Sequence, residues 1–263
     1  MSSARTSVPG RSGTRARRRK AAHAQRPWGV PLLHQSWRHL VFVHWSVPVS
    51  QLQPLVPHSL PLDTWQGHAY VGLVAFAVKD NRMTLMPPFP LLSRFYEVNL
   101  RTYVRPAAGD PGVYFFSLDA SNAVIAGVAR ASYGLPYHAA KAEWRTLPAP
   151  GQRPLFTLSM RRLALEDDTG CDLRYSATGA PAPAVEGTLA HFLIERYVLY
   201  TASGENVSAA RVHHEPYPVQ GARLRTLRES LSLAAGLPKL GRPALAHYAR
   251  GVDVGIFRKT RVR

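Results

Sequence analysis

Residues 95–104 read FYEVNLRTYV, and two kinds of side chain alternate along this segment with a period of two. In a β-strand, this period places successive side chains on opposite faces of the sheet. One face is predicted to pack into a core, and it carries Tyr96, Val98, Leu100, Thr102 and Val104. The opposite face must meet either water or an internal polar cavity, and it carries Glu97, Asn99, Arg101 and Tyr103.

The segments on both sides of residues 95–104 predict further β-structure. A Gly-Asp-Pro-Gly turn at residues 109–112 leads into a strand-like run at 113–118, which indicates a β-hairpin. Additional strands are predicted at residues 40–47, 69–78, 137–146, 155–163, 171–177, 196–201 and 245–257. Helices are predicted at residues 121–134, with Ser121 as N-cap and an apolar stripe that includes Val124 and Val128, near residues 186–194, and at residues 223–235.

Charge separates the N-terminal end from the rest of the chain. Residues 1–26 hold eight of the 33 Arg and Lys residues and none of the 16 Asp and Glu residues. Such a segment buries too little apolar area to offset its ordering entropy, so it is expected to be a disordered basic tail. No composition break follows it, and residues 27–263 are expected to form a single mainly β (α+β) domain.

Several classes of function lack the residues that they require. Cys171 is the single cysteine, which excludes an intrachain disulfide and favours a reducing, cytoplasmic location. The longest apolar run, residues 69–78, is about half the roughly 20 residues of a membrane span, so no membrane association is expected. No phosphate loop, dinucleotide fingerprint or nucleophile elbow occurs. No histidines are spaced as metal ligands on one helix or strand, so no metal site and no cofactor are predicted.

Five segments together resemble a known family. They are residues 95–104, then 112–120 (GVYFFSLDA), 134–138 (GLPYH), 191–197 (HFLIERY) and 212–216 (VHHEP). In order and spacing they resemble the YqjF-like family, a domain of unknown function in the acetoacetate decarboxylase-like superfamily. The resemblance covers about residues 28–258. It implies a closed, curved β-barrel with a few flanking helices and a pocket in the barrel interior.

One segment departs from the decarboxylases of that superfamily. True acetoacetate decarboxylases carry a Gly-Phe-Pro-Lys-Lys type of sequence, in which one lysine forms a Schiff base with the substrate. Residues 134–138 of this chain place Tyr137 and His138 where those lysines would stand. Lys141 follows on the same face as Tyr137 but roughly 13 Å along the strand. Schiff-base decarboxylation is therefore not expected.

The polar strand face supplies the candidate site. Arg101 would bind an anionic group, because its guanidinium fork matches a carboxylate. Glu97 would have a raised pKa if it is buried and could then act as acid or base, and Tyr137 would point inward as a hydrogen-bond donor. Asn99, Tyr103 and, more weakly, Tyr114 are further ligand-binding candidates. The competing interpretation is an ordinary solvated strand face.

Three functional hypotheses remain open from the sequence. The first is a cofactor-free enzyme, a lyase or a related activity without a Schiff base, that acts on a small organic acid or carbonyl compound. The second is a non-catalytic sensor or carrier of such a ligand. The third is nucleic-acid association through the basic residues 17–20, which is disfavoured because no aromatic side chains are interleaved for base stacking. A homo-oligomer is compatible with each hypothesis.

Overall fold

Strands dominate the computed structural model, which describes residues 25–148, 151, 153–163 and 168–262. Nearly all of the expected basic tail therefore lies outside the described residues. Within them there are twelve strands, β1 (Leu33–Val47), β2 (Ala69–Met83), β3 (Phe95–Val104), β4 (Gly112–Ala120), β5 (Tyr137–Leu147), β6 (Leu155–Arg162), β7 (Gly170–Ala182), β8 (Val198–Ser203), β9 (Asn206–His213), β10 (Val219–Glu229), β11 (Leu245–Ile256) and β12 (Thr260–Arg261). The four helices are short, α1 (Val49–Leu52), α2 (Ala123–Tyr133), α3 (Leu189–Ile194) and α4 (Leu231–Ala234).

The strands form a closed barrel, as the resemblance implies. They follow the order β4-β3-β2-β1-β11-β10-β7-β6-β5, and a parallel pairing of β5 with β4 joins the two ends into a ring of nine. The predicted hairpin is confirmed, because β3 and β4 pair antiparallel from Glu97 to Val104. Side chains fill the interior of this ring, which contains Val41, Val43, Leu73, Leu158 and Tyr175.

A second pairing encloses a separate space on the other face of the shared strands. Strand β9 pairs with both β8 and β11, which makes a ring of seven, β9-β8-β4-β3-β2-β1-β11. Strand β3 belongs to both rings, so both of its faces are enclosed. Val98 and Leu100 point into the packed core of the nine-strand ring. Glu97, Asn99 and Arg101 point into the seven-strand ring, where they line a cavity.

The helix prediction for residues 223–235 is wrong. This segment is mostly strand β10, and only Leu231–Ala234 is helical. A bulge between Leu224 and Thr226 explains the misleading pattern, because it brings Leu224 and Leu227 opposite Tyr175 and Leu173 on one face of the sheet. Their spacing of three therefore imitates a helix while both leucines pack into the barrel core.

Helix α2 forms where it is predicted, with a different cap. The Asn122 side chain, not Ser121, caps its N-terminus by accepting a hydrogen bond from the Ile125 amide at 3.1 Å. The Ser121 hydroxyl instead accepts a hydrogen bond from the Tyr96 amide, which ties the loop to β3. Gly134 ends the helix with a φ of 66°, a left-handed conformation that suits glycine.

Candidate functional site

The seven-strand ring surrounds a cavity of about 500 Å³. All seven of its strands contribute to the lining, and Tyr137 of β5 joins them. Most of the lining side chains are apolar, such as Phe42, Phe76 and Leu118. The polar groups are few, which is typical of a site that binds a small molecule.

Glu97 is held in this cavity by two neighbours. The Tyr137 hydroxyl donates a hydrogen bond to Glu97 Oε2 at 2.9 Å, and Asn99 Nδ2 lies 3.4 Å from Glu97 Oε1. The structure therefore brings three of the predicted site residues together in the cavity lining: Glu97, Asn99 and Tyr137. Asn99 Oδ1 is buried and has no hydrogen-bond partner within the described part of the chain.

Burial changes the acidity of Glu97. Its side chain is removed from water, which raises the pKa from 4.5 to about 7, and the nearby charge of Asp119 adds to the rise. The hydrogen bonds from Tyr137 and Asn99 oppose this change because they stabilise the carboxylate. Near neutral pH both protonation states are populated, so Glu97 can accept a proton from a ligand or give one.

Arg101 brings a positive charge to the same cavity. Its Nη2 donates to the Leu193 carbonyl at 3.3 Å, and its guanidinium carbon lies 5.9 Å from the ring centre of Phe42 and 5.8 Å from that of Tyr103. Its Nε is buried without a hydrogen-bond partner among the residues that the structure describes. This guanidinium has donors left for a carboxylate.

A second cavity arginine is already committed to other groups. Arg196 donates to Asp63 at 2.6 Å and to the Phe192 carbonyl at 2.6 Å. Its guanidinium carbon lies 4.1 Å from the ring centre of Phe192. Arg196 therefore forms a structural ion pair with Asp63.

Two of the tyrosine candidates lie outside the cavity lining. Tyr103 is fully buried behind Arg101, among the residues of the apolar cluster around Phe115 and Leu193. Tyr114 lies opposite Thr102, whose side chain points to the other face of β3, and packs edge-to-face on Phe116 at 5.7 Å. Tyr114 is therefore separated from Arg101 by the sheet and drops out of the candidate site.

The structure adds Tyr217 to the cavity lining, and it places His44 against Phe42 of that lining without making His44 a lining residue itself. His44 is fully buried, and neither ring nitrogen has a hydrogen-bond partner in the described residues. Burial lowers the pKa of His44 well below 6.5, and the nearby positive charge of Arg101 lowers it further. The signal for His44 was its polar side chain within the apolar run 40–47. Tyr217 lines the cavity from a proline-flanked loop without periodicity, so no sequence pattern could place it.

The other reactive side chains lie elsewhere. Lys141 is exposed and does not line the cavity. Lys259 contacts the cavity lining, because its Nζ donates a hydrogen bond to the carbonyl of Tyr133. Cys171 is buried in the barrel core, and burial together with Asp119 and Asp172 raises its pKa, which disfavours a nucleophilic thiolate.

The described residues offer neither a metal cluster nor a membrane-spanning helix. They contain no group of three or more His, Cys, Asp or Glu side chains placed to hold a metal ion. None of the helices formed by those residues has the length and apolar character needed to span a membrane.

Comparisons with known proteins agree with this architecture. The model of the DUF2071 family, described as an uncharacterised conserved protein, matches residues 34–253. The uncharacterised protein YqjF of Bacillus subtilis (strain 168) is 33% identical over 228 residues, which cover 87% of this chain and 91% of that protein.

Solved structures confirm the expected barrel type. The enduracididine biosynthesis enzyme MppR, complexed with pyruvate, superposes with a TM-score of 0.62 at 13% identity, covering 89% of this chain and 91% of that one. An acetoacetate decarboxylase gives a TM-score of 0.60 at 14% identity over 90% of both chains. An acetoacetate decarboxylase-like enzyme from Sphingomonas wittichii RW1 gives 0.56 at 14% identity, over 89% and 94%. The chain has the acetoacetate decarboxylase-like fold and belongs to the DUF2071, or YqjF-like, family.

Proposed function

We propose that the protein binds a small organic acid or carbonyl compound in the cavity of the seven-strand ring and transfers a proton to or from it. Arg101 holds the anionic group, Glu97 is the proton donor or acceptor, and Tyr137 and Asn99 orient the Glu97 carboxyl group. No Schiff base is part of this proposal. The main supporting observation is that one cavity holds both a buried carboxyl group with a pKa of about 7 and a half-buried arginine.

The arginine supports an acidic ligand. The buried Nε of this half-buried arginine has no hydrogen-bond partner among the described residues, which costs free energy, and a carboxylate that accepts from it would remove this cost. The rings of Phe42 and Tyr103 flank the guanidinium and limit its movement. A ligand carboxylate would therefore meet a donor that is already oriented.

The glutamate supports proton transfer. Glu97 lies two residues from Asn99 and four from Arg101 on one face of β3, so roughly 13 Å of strand separates the backbones of Glu97 and Arg101. A ligand between them would have its acidic group at Arg101 and its remaining atoms toward Glu97. A structural neighbour was solved with pyruvate, and we take 2-oxo and 3-oxo acids as the first ligands to test.

Binding is tested by calorimetry and thermal shift with pyruvate and acetoacetate. We expect stabilisation of the parent protein and at least about tenfold weaker binding by Arg101→Gln, since hydrogen bonds to a charged group contribute about 1.5–3 kcal/mol. Arg174→Gln is the matched control, because Arg174 is an exposed arginine of β7. Equal affinity of the parent and Arg101→Gln for every acid would refute the proposed anion site.

Turnover separates the enzyme from the sensor or carrier. Any acid that binds is followed by proton NMR with the parent protein and with Glu97→Gln, which keeps the shape of the side chain but cannot ionise. Product formation by the parent that is lost in the variant, with binding retained, supports catalysis. Binding without product would favour the non-catalytic ligand carrier instead.

A further inference from the structure

We infer that the ligand is an amphipathic acid, whose carboxylate lies at Arg101 and whose apolar tail extends past Glu97 to the mouth of the cavity. This inference rests on the proposed function, because it assumes the anion site at Arg101. It adds the chemical class of the rest of the ligand. The supporting feature is a set of exposed apolar side chains at the mouth, which we call the apolar lip: Met83, Met86, Phe89, Val124 and Val128.

The apolar lip is unusual in its exposure. Each of its five side chains is between 50% and 60% exposed, yet all five belong to the lining of the cavity that contains Arg101. Val124 and Val128 lie four residues apart on one side of α2, in the stripe that the sequence predicts to be apolar. A contiguous apolar surface of this kind commonly marks a binding site.

The lip and the arginine lie at opposite ends of β3. The segment that carries Met86 and Phe89 leads directly into Phe95, the first residue of β3, and Phe95 also lines the cavity. Arg101 lies six residues further along the strand, or roughly 20 Å at the usual rise per residue. A two- or three-carbon acid at Arg101 would therefore leave the lip uncovered, whereas a longer chain would reach it.

The wall between the two ends suits an apolar chain. Phe76, Phe95 and Leu118 line this part of the cavity, and Glu97 with Asn99 supplies its polar side. The volume of about 500 Å³ lies within the roughly 300–1,000 Å³ of sites for drug-sized ligands. The lip is continuous with this wall. A bound acid with a long apolar tail would cover both the wall and the lip.

The test measures binding of the full chain to straight-chain carboxylates from acetate to hexadecanoate, below their micelle concentrations, by calorimetry. We expect the dissociation constant to fall about fourfold for each added methylene until the lip is covered, as burial of about 0.8 kcal/mol per methylene requires. 1-Octanol should bind at least about tenfold more weakly than octanoate, because it lacks the charge that Arg101 recognises.

Variants of the lip distinguish this inference from the proposed function. Val128→Gln should weaken hexadecanoate binding several-fold, because an extended chain of that length is needed to span from Arg101 to the lip, and it should leave pyruvate binding unchanged. Leu233→Gln is the matched control, because Leu233 is also exposed but does not line the cavity, and it should change neither affinity. Short acids that bind through Arg101 without a chain-length dependence would overturn the inference and leave the proposed function intact. Octanoate binding that is insensitive to Arg101→Gln would overturn both.

Discussion

Replacing Glu97 by glutamine should change how the stability of the protein depends on pH. Burial raises the pKa of this carboxyl group from 4.5 to about 7, so between these values the folded protein binds a proton that the unfolded chain releases. The contribution of Glu97 to stability is therefore fully present below pH 4.5, decreases as pH rises toward about 7, and is lost above that pH. Glutamine does not titrate, so the variant lacks this decrease.

The expected magnitude follows from the two pKa values. The full difference corresponds to about 3 kcal/mol, at 1.36 kcal/mol per pKa unit, and about 2.5 kcal/mol of it falls between pH 5 and pH 8. The conversion applies because Glu97 is only 6% exposed and solvent screens it little. From pH 5 to pH 8 the free energy of unfolding of the parent protein should therefore fall by about 2.5 kcal/mol through Glu97, and the Glu97→Gln variant should lack this fall.

Urea unfolding of the parent and the variant at both pH values measures this quantity. The buried histidines His44 and His214 also titrate with lowered pKa values, but their effect is common to both proteins and cancels in the subtraction. Glu143→Gln is the control, since Glu143 is an exposed carboxyl group and its replacement should shift the difference by no more than about 0.5 kcal/mol. A change below about 1 kcal/mol for Glu97→Gln would refute the assignment of a buried, proton-binding Glu97.

Four further predictions concern the same chain. Tyr137→Phe removes a hydrogen bond that stabilises the carboxylate, so the pKa of Glu97 should rise further above about 7 in a carbon-13 NMR titration, and a fall would contradict the geometry. Burial lowers the pKa of His214 to about 4, so the protein should lose about 2.5 kcal/mol of stability as pH falls from 6.5 to 4. This loss should be smaller in His214→Phe, and an equal loss in the variant and the parent would contradict the assignment of a buried, uncharged His214. Borohydride reduction with acetoacetate should leave the intact mass unchanged, whereas a stoichiometric adduct on Lys141 or Lys259 would show that an imine forms. Deletion of residues 1–24 should leave the melting temperature within a few degrees of the parent value, and salt-sensitive DNA binding that disappears with the deletion would support the nucleic-acid hypothesis.

Local patterns in the sequence predicted the elements whose signals lie within a few residues. Alternation along residues 95–104 predicted strand β3 and its two faces, and the turn at 109–112 predicted the hairpin with β4. The same kind of local signal failed at residues 223–235, because a bulge changes the period of the strand. A pattern with a period near three does not distinguish a bulged strand from a helix unless its partner strand is known.

The sequence by itself determined that Glu97, Asn99 and Arg101 share one strand face, since strand alternation is a property of the chain. Only the tertiary structure decided that this face lines a cavity rather than meeting water, because the pairing of β9 with β11 closes the ring around it. The hydrogen bond from Tyr137 to Glu97 joins residues 40 positions apart. Enclosure and the raised pKa that follows from it depend on such long-range contacts, and no local periodicity encodes them.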